Sequence, residues 1–411
     1  MNTLHVTKNT VSQDPRQAEF VQNPYSLYSQ MHDMACPVFW KDYGFWCLAD
    51  FASVNRTLRD RRFARLPPAG HELPDLPSHL ADFAAAEKHS LLALEPPDHT
   101  RLRQRINRAF VSRQVELMSP AITARAHERI DRIEGNGQTE LLSQYATPIP
   151  VTVITQLLGV PESAGKRLVD WSHAMVKVYT MTQTHEEELA ANTAAREFRD
   201  FLIPVIAEKR QQPGEDLLSQ LVREDGEGQS LNDDEVVSTA ILLLNAGHEA
   251  TVHQLGNAVK TLLEHYPLGT ARQNLLELLS DQRSADALVN ECLRYDAPLH
   301  LFMRYAQEPV ELENGPVLQA GDAIGLLLAA GNRCPVRFSE PERFMPLRED
   351  AGQLSLGAGI HFCVGAPLAK LELRIALQVL FERLPELSTD DDLHYLDAYH
   401  FHGLQQLPVR W

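Results

Sequence analysis

No stretch of this 411-residue sequence is apolar for long enough to cross a membrane, because its longest apolar run covers only Ala240–Leu244 and the residues beside it. The first sixteen residues are polar and lack the apolar core of a signal peptide. Basic residues are fewer than acidic ones, and the net charge of −17 argues against nucleic acid or an anionic membrane as the main partner. We therefore expect a cytoplasmic protein that binds neither.

The sequence also lacks a CxxC pair, and its cysteines follow no spacing typical of a disulfide framework. They are Cys36, Cys47, Cys292, Cys334 and Cys363. Free thiols in a reducing compartment are the expectation. No repeat, low-complexity segment or long linker divides the chain, and apolar residues make up 44% of it. The sequence therefore predicts one domain, residues 1–411, with a large core.

Most of the chain has the pattern of helices, because apolar residues recur at helical spacing in eight segments. These segments are 114–134, 149–159, 163–180, 187–210, 231–265, 269–280, 283–296 and 366–384. Asn232 and Glu235 form a cap pair at the start of the longest one. Strands are predicted at 38–40, 45–48, 309–327 and 395–410. The pattern indicates a mainly α protein with small β-sheets.

Residues 66–90 are rich in proline and read as a loop, which is either a functional lid or a surface excursion.

Residues 356–365, Leu-Gly-Ala-Gly-Ile-His-Phe-Cys-Val-Gly, place three glycines and a cysteine in a tight turn before a helical pattern. Backbone N–H groups and the positive end of the helix dipole favour a thiolate at Cys363. A thiolate is the ligand that soft or redox-active metals prefer. A buried structural cysteine is the alternative, and the glycine spacing disfavours it.

This turn resembles the haem-binding loop of the cytochrome P450 family, Phe-x-x-Gly-x-x-x-Cys-x-Gly. The matching residues, with two that are common in bacterial members, are Gly357, Gly359, His361, Cys363 and Gly365. The resemblance implies the cytochrome P450 fold, haem b (iron protoporphyrin IX) as cofactor, and Cys363 as the axial ligand of the iron. Leu356 replaces the family's phenylalanine, which shields the sulfur.

A second resemblance lies in the pair Glu291 and Arg294, three residues apart on one helical face. In the family such a pair forms a buried network with an arginine of a downstream Pro-x-Arg-Phe element, here Arg343. The preceding Asn-Arg-Cys-Pro segment has Cys334 where the family has aspartate. We interpret Cys334 as a local substitution and not as a second metal ligand.

The segment that begins at Glu95 continues the resemblance. On a helix, His99, Arg103, Ile106 and Phe110 share one face that mixes cations with apolar groups. The resemblance implies contacts with the haem propionates, and it extends this role to two further residues. The four implied contacts are His99, Arg103, Arg304 and His361. A solvated surface cation is the alternative for each.

The other face of that helix carries arginines on an otherwise acidic protein. They are Arg101, Arg105 and Arg108, with Arg113 just beyond. Such a patch is typical of a docking surface for an acidic electron donor, and a solvated helix face is the alternative.

The segment 240–251 resembles the oxygen-binding groove of the family. Gly247 and Ala246 are small residues in the middle of a predicted helix, where glycine costs stability. Glu249 matches the family's acid, but Ala250 occupies the alcohol position. Thr251 follows one residue later, and because one step on a helix turns a side chain by about 100°, its hydroxyl does not automatically replace the missing one.

Taken together, the resemblance implies a soluble bacterial monooxygenase that inserts one oxygen atom of O2 into a small, mostly apolar substrate. Electrons come from a ferredoxin and its ferredoxin reductase, protons enter near Glu249, and the protein is expected to be a monomer. Two alternatives stay open: a peroxygenase that uses hydrogen peroxide, which Ala250 would favour, and a haem-binding sensor or carrier without turnover.

The same resemblance predicts the walls of the substrate cavity. They are loop 66–92, region 170–185, the helix positions Leu242, Asn245, Ala246 and Ala250, the segment His300–Phe302 with Leu301 in it, and His400–Phe401. The polar side chains of Asn245, His300 and His400 suggest a substrate with an oxygen function. The hydrogen bond missing at Ala250 could come from that group or a water bound to it, from a water held by Glu249, or from Thr251 through a local helix distortion, and we favour the first. The alternative is that the loss of the hydroxyl is tolerated and the water chain persists regardless.

Overall fold

The computed structural model describes residues 9–34, 37–179, 183–224, 230–390 and 392–411. Cys36 and part of the predicted region 170–185 lie outside the described residues. Helices dominate the described chain. In its first half they are α1 (Ala18–Gln22), α2 (Tyr25–His32), α3 (Phe51–Thr57), α4 (Ala81–Glu87), α5 (Asp98–Asn107), α6 (Ser112–Glu116), α7 (Ser119–Ile133) and α8 (Pro148–Leu158). In its second half they are α9 (Gly165–Val176), α10 (His185–Gln211), α11 (Leu217–Val222), α12 (Asp233–His265), α13 (Thr270–Ser280), α14 (Gln282–Tyr295), α15 (Leu328–Asn332) and α16 (Ala366–Arg383).

The mainly α prediction is confirmed, and the predicted helical segments correspond to observed helices. The segment 114–134 is an exception in one respect, because it contains two helices, α6 and α7, with Pro120 in the first turn of the second. The cap pair of α12 forms as predicted. The Glu235 N–H donates to Asn232 Oδ1 at 2.9 Å, and the Asn232 N–H donates to Glu235 Oε2 at 3.0 Å.

Within the described residues, ten short strands accompany the helices. They are β1 (Thr10–Val11), β2 (Val38–Trp40), β3 (Phe45–Leu48), β4 (Phe63–Ala64), β5 (Gln138–Glu140), β6 (Leu301–Ala306), β7 (Val310–Glu311), β8 (Val317–Leu318), β9 (Ala323–Leu327) and β10 (Pro408–Arg410). Six of them form one mixed sheet in the order β1-β2-β3-β9-β6-β4. The predicted hairpin is present as β2 and β3, with Val38 opposite Cys47. Short strand-like pieces were predicted within 395–410, and this segment contains β10 together with isolated bridges at Tyr395, Phe401 and Leu404.

The loop predicted at 66–90 contains a helix, α4, preceded by a turn of 3-10 helix at Ser78–Leu80. The sequence of α4 is Ala-Asp-Phe-Ala-Ala-Ala-Glu, and alanine is the strongest helix former. The prolines that suggested a loop end at Pro77, so they precede this helix and do not interrupt it. Phe83 and Ala86 are buried, and Asn192 of α10 accepts the N–H groups of Asp82 and Phe83.

The helix α12 passes through the main apolar core, which it shares with α7, α8, α14 and α16. Across the described chain, no helix combines the length and apolar character needed to cross a membrane.

Candidate active site

Cys363 lies between a 3-10 turn, Gly359–His361, and the N-terminus of α16. The backbone N–H groups of Gly365 and Ala366, at the start of this helix, favour its thiolate form. Burial raises the pKa of the Cys363 thiol, while these N–H groups and the nearby charge of Arg103 act in the opposite direction. A bound metal cation deprotonates a coordinating thiol, so this cysteine is arranged to bind one as a thiolate.

The loop around Cys363 is closed by its own backbone. The Cys363 N–H donates to the Leu356 carbonyl at 2.9 Å, and the Gly357 N–H donates to the Leu354 carbonyl at 2.7 Å. Gly359 has a φ of +71°, and a Cβ there would collide with the carbonyl oxygen of Leu58. Glycine is therefore required at position 359 for both its conformation and its space.

A group of cationic and imidazole side chains lies beside this loop. The ring centroids of His99 and His361 are 4.4 Å apart, and His99 is 2% exposed. Its Nε2 has no hydrogen-bond partner among the described residues. Burial lowers the pKa of His99 to about 4, with help from His361 and Arg103. Arg103 donates to the Phe362 carbonyl at 2.6 Å, directly before the cysteine.

Arg304 completes this group from strand β6, where it is 3% exposed. Burial lowers its pKa to about 9, and repulsion from Arg65 adds to the effect. Among the described residues no carboxylate forms an ion pair with Arg304. Glu95 lies nearby but is 3.4 Å from His361 Nε2 and accepts the backbone N–H of Arg65. We call the residues His99, Arg103, Arg304 and His361 the cationic cradle.

The cationic cradle fits the carboxylates of a haem, because it has an excess of buried positive charge and an orphaned imidazole nitrogen beside a cysteine suited to iron. Arg65 was not predicted, because the sequence contains no signal that places it near this site. It also missed the role of Glu95, although a carboxylate four residues before His99 could have suggested it.

The network around Glu291 corrects a prediction. Arg294 donates to both carboxylate oxygens of Glu291 at 2.8 Å, as expected. The third member is Arg348, whose Nε lies 3.0 Å from Glu291 Oε2, and not Arg343. The side chain of Arg343 is 64% exposed because it pairs with Glu340 three residues earlier. Arg343 contributes only its carbonyl oxygen to the network.

The face of α12 that carries the predicted oxygen groove is more exposed than the rest of this mostly buried helix. Ala246 and Gly247 are exposed and Ala250 is half-buried, whereas their neighbours in sequence are covered. A Cβ built on Gly247 would meet no atom within 4 Å. The middle of α12 therefore borders open space, as a helix beside a cofactor or substrate would.

Glu249 points to a different neighbour, helix α9. Its Oε1 is 3.0 Å from His173 Nε2, and its Oε2 is 3.5 Å from His253 Nε2. Burial alone would raise the pKa of Glu249, but the hydrogen bond from His173 and the nearby imidazoles lower it. Thr251 donates its hydroxyl to the Gly247 carbonyl at 2.8 Å, so this proton is engaged within the helix.

The predicted cavity residues do not all face open space. His300 is fully buried: its Nδ1 is 2.8 Å from the Tyr28 hydroxyl and its Nε2 is 3.1 Å from the Ala297 carbonyl. This corrects its placement, because both ring nitrogens are engaged in the interior. Leu242 and Leu301 are also buried in the apolar core, at 8% and 3% exposure.

Other predicted cavity residues remain candidates. Asn245 is buried, and its Oδ1 has no partner among the described residues. Phe401 and His400 are half-buried. Phe302, from the same segment as His300, is the residue that approaches the cysteine loop, 3.5 Å from a Cβ built on Gly357.

The predicted arginine patch is smaller than the sequence indicated. Arg105 is 8% exposed and donates to the Arg223 carbonyl, so it does not belong to the surface. Arg101 forms an ion pair with Glu235. Arg108 and Arg113 are exposed as predicted.

Val111 and Leu117, which are close to them in sequence, are exposed apolar residues, as are Ile360 and Phe362 of the cysteine loop.

None of the four cysteines in the described part of the chain forms a disulfide there. Cys334 is buried, and among the described residues it belongs to no group of three or more metal-binding side chains.

Comparison with known proteins agrees with this geometry. The family model described as Cytochrome P450 matches residues 74–399. The chain is 36% identical to the cytochrome P450 monooxygenase PikC of Streptomyces venezuelae, over 96% of this chain and 92% of that protein. It is 32% identical to 6-deoxyerythronolide B hydroxylase of Saccharopolyspora erythraea, over 94% and 95% of the two chains.

A solved structure of P450BioI, in complex with an acyl carrier protein ligated to hexadec-9Z-enoic acid, superposes with a TM-score of 0.87. It is 31% identical and covers 96% of this chain and 100% of its own. The fold, the cysteine loop and these relatives agree. The chain belongs to the cytochrome P450 family, and it is a monooxygenase that binds haem b.

Proposed function

We propose that Cys363 would supply the thiolate ligand to the iron of haem b and that the chain inserts one oxygen atom of O2 into a small, mostly apolar substrate. The observation that carries this proposal is the place of Cys363 between the 3-10 turn Gly359–His361 and the N-terminus of α16, where nearby backbone N–H groups favour its thiolate. Bound haem b supplies the activation of O2 and the transfer of oxygen to the substrate. The protein contributes the ligand, the charge environment and the path of protons.

In this proposal the cationic cradle binds the two propionates. His99, with an orphaned Nε2, and Arg304, without a carboxylate partner, are the groups that gain most from an anion. Charge-assisted hydrogen bonds to carboxylates are about twice as strong as neutral ones. Arg103 joins the cradle to the cysteine loop through its bond to the Phe362 carbonyl.

Glu249 and Ala250 have opposite roles in the proposed proton path. Glu249 stands between the partly exposed His173 and the interior of α12, so it can pass protons inward from solvent. Ala250 has no hydroxyl to hold the last water, and the Thr251 hydroxyl already donates to Gly247. We propose that a polar group of the substrate, or a water bound to it, completes the path, with Asn245 as the buried polar residue able to orient it.

The proposed substrate class follows from the open face in the middle of α12. Ala246, Gly247 and Ala250 present small apolar surface to open space. Relatives agree with an apolar skeleton that carries oxygen, since one is named for hydroxylation of 6-deoxyerythronolide B and another is solved with a hexadecenoic acyl group. A ferredoxin and its reductase are the proposed electron donors, which would meet the surface of Arg108, Arg113 and Phe362. We also propose a monomeric, single-domain cytoplasmic enzyme, with which the lack of disulfides among the described residues agrees.

The ligand assignment is tested with the holoenzyme. The reduced carbon monoxide complex should show the red-shifted Soret band typical of thiolate ligation. Cys363→Ser should lose that band, whereas Cys334→Ala and Cys292→Ala should keep it. A thiolate spectrum that persists in Cys363→Ser would refute the assignment.

The proton path is tested by coupling, the amount of product formed for each reductant consumed. The substrate for the assay is the compound giving the largest haem spin-state shift in a panel that includes 6-deoxyerythronolide B and hexadec-9-enoic acid. An analogue without the oxygen function nearest the oxidised carbon should bind but release mostly peroxide. Ala250→Thr should restore part of the coupling with that analogue. If Thr251→Ala alone uncouples the parent substrate, the neighbouring hydroxyl is the donor and the proposal is wrong.

A further inference from the structure

A second group of ligand-type side chains lies where α9 meets α12. His173 comes from α9, and His248 and Glu249 come from α12. One ligand atom of each residue lies within 4.8 Å of those of the other two. His173 Nε2 and Glu249 Oε1 are 3.0 Å apart, and the rings of His173 and His248 are 5.6 Å apart.

His248 is the unusual member of this group. It is 1% exposed, and neither of its ring nitrogens has a hydrogen-bond partner among the described residues. A buried polar group without a partner costs free energy, and native proteins contain few of them. The side chain nevertheless approaches the Glu249 carboxylate, although neighbouring residues on a helix point about 100° apart.

From this geometry we propose that His173, His248 and Glu249 form a binding site for a divalent transition-metal ion of the zinc class. Two imidazoles and one carboxylate are a ligand set that zinc uses where it keeps a fourth position for water. Tetrahedral ligands at about 2.0–2.1 Å from zinc lie roughly 3.3 Å from one another. The pair of His173 and Glu249 is already close to that spacing, and because the three ligand atoms lie within 4.8 Å of one another, His248 must move inward by at most about 1.5 Å.

The surroundings favour such an ion over other cations. Imidazole ligands select zinc, copper or nickel, whereas calcium and magnesium prefer oxygen ligands alone. The side chain of His173 is 53% exposed, which gives the ion an entrance from solvent, and that of Glu249 is 11% exposed. His253, 3.5 Å from the other oxygen of Glu249, can hold that carboxylate in place as an outer partner.

Occupation of this site would regulate the enzyme. A carboxylate that coordinates a metal cannot pass protons at the same time, so a bound ion would withdraw Glu249 from the proton path. This consequence rests on the proposed function, whereas the metal site itself does not. We expect the ion to lower coupling without changing how substrate binds.

Zinc binding is measured on the haem-loaded enzyme by calorimetry and by equilibrium dialysis with metal analysis. The variants are His248→Phe, which replaces an unsatisfied buried ring by an apolar one and should fold, and His173→Gln. Each should weaken zinc binding by more than about tenfold, because even an outer-shell partner is typically worth 10–100-fold.

A matched control comes from the group of His79, His185 and Glu188. Its distances resemble those of the proposed zinc site, because His79 Nε2 lies 2.7 Å and His185 Nδ1 lies 3.6 Å from Glu188 Oε2. Neither histidine of this group has a buried ring nitrogen without a hydrogen-bond partner. His185→Gln should leave zinc binding unchanged. Wild-type affinity in His248→Phe, or loss of the ion only in His185→Gln, would overturn the proposed site.

The regulatory consequence has a separate readout. Zinc should lower coupling in the wild type and leave that of His248→Phe unaffected in the same ferredoxin system, while the substrate-induced spectral shift stays constant. If zinc binds at the site as expected but coupling does not change, the metal site stands and the role of Glu249 in the proposed function is wrong.

Discussion

Two buried regions of this protein contain charged side chains, and they differ in how those charges are satisfied. Around Glu291 every partner is internal: Arg294, which is fully buried, donates to the carboxylate and to the carbonyls of Asn332, Pro341 and Arg343. In the cationic cradle, His99 has an orphaned nitrogen and Arg304 has no carboxylate partner in the described chain.

The difference separates a structural network from a ligand site. Burying a charge is costly unless it is paired and hydrogen-bonded, so a satisfied network can form during folding without any cofactor. A buried cation without an anion is tolerated when a ligand later supplies the missing charge. We therefore expect variants in the Glu291 network to lose stability, and variants in the cradle to lose haem instead.

The largest effect is expected at Arg348. Arg348→Leu removes a charged partner from the buried Glu291, and breaking a buried pair in this way costs about 3–5 kcal/mol. Arg343→Leu is the matched control, since its side chain is exposed, and it should change stability by less than about 0.5 kcal/mol. Denaturant unfolding measures both. Equal losses would mean that Arg343, as the sequence suggested, is the third member after all.

Glu372 tests the comparison with a buried acid that belongs to neither region. Burial raises its pKa to about 8, and its Oε2 has no partner among the described residues. Because the folded pKa lies above the unfolded one, the contribution of Glu372 to stability is fully present below about pH 4.5 and is lost as the pH rises through about 8.

Glu372→Gln, which stays neutral, should therefore become more stable than the wild type as the pH rises. The gain should be small at pH 5 and reach about 2–5 kcal/mol near pH 8.5. Unfolding by denaturant at several pH values gives the difference. A pH-independent difference would show that Glu372 is charged in the native state and has a partner there.

Arg304 provides the corresponding test for the cationic cradle. Arg304→Met should leave the apoprotein as stable as the wild type, because it removes a buried cation without a carboxylate partner. The holoprotein should lose haem about tenfold faster, equivalent to about 1.4 kcal/mol, in a transfer assay with apomyoglobin. Arg304→Lys, which keeps the charge, should retain haem better than Arg304→Met. A large loss of apoprotein stability would place Arg304 with the structural network.

The sequence predicted much of this arrangement because its signals are local. The turn at 356–365 and the spacing of His99 and Arg103 indicate chemistry from short segments alone. The third arginine was assigned to Arg343 in error, because only the folded chain shows that Arg348 turns inward. His300 was placed at the cavity for a similar reason. A polar residue in an apolar segment suggests a ligand, but Tyr28, 272 positions away, satisfies it.

The smallest effect is expected on the surface, where charges are solvated and stability does not depend on them. Arg108, Arg113 and Phe362 are exposed, and Phe362 directly precedes Cys363 in sequence, so we expect an acidic ferredoxin to bind at these residues. The double charge reversal, R108E/R113E, should slow reduction of the haem by ferredoxin about three- to tenfold at low ionic strength. The effect should shrink above 0.1 M salt, where the screening length is about 10 Å.

A matched double reversal on α10, R196E/R199E, changes the net charge by the same amount on partly exposed side chains. Steering by overall charge would make both variants equally slow, whereas a docking surface makes only R108E/R113E slow. Haem content, thermal stability and the substrate-induced spectral shift should stay as in the wild type for R108E/R113E. If those quantities fall together with the reduction rate, Arg108 and Arg113 stabilise the fold near α5. The expectation that surface charges do not affect stability would then be wrong for these two arginines.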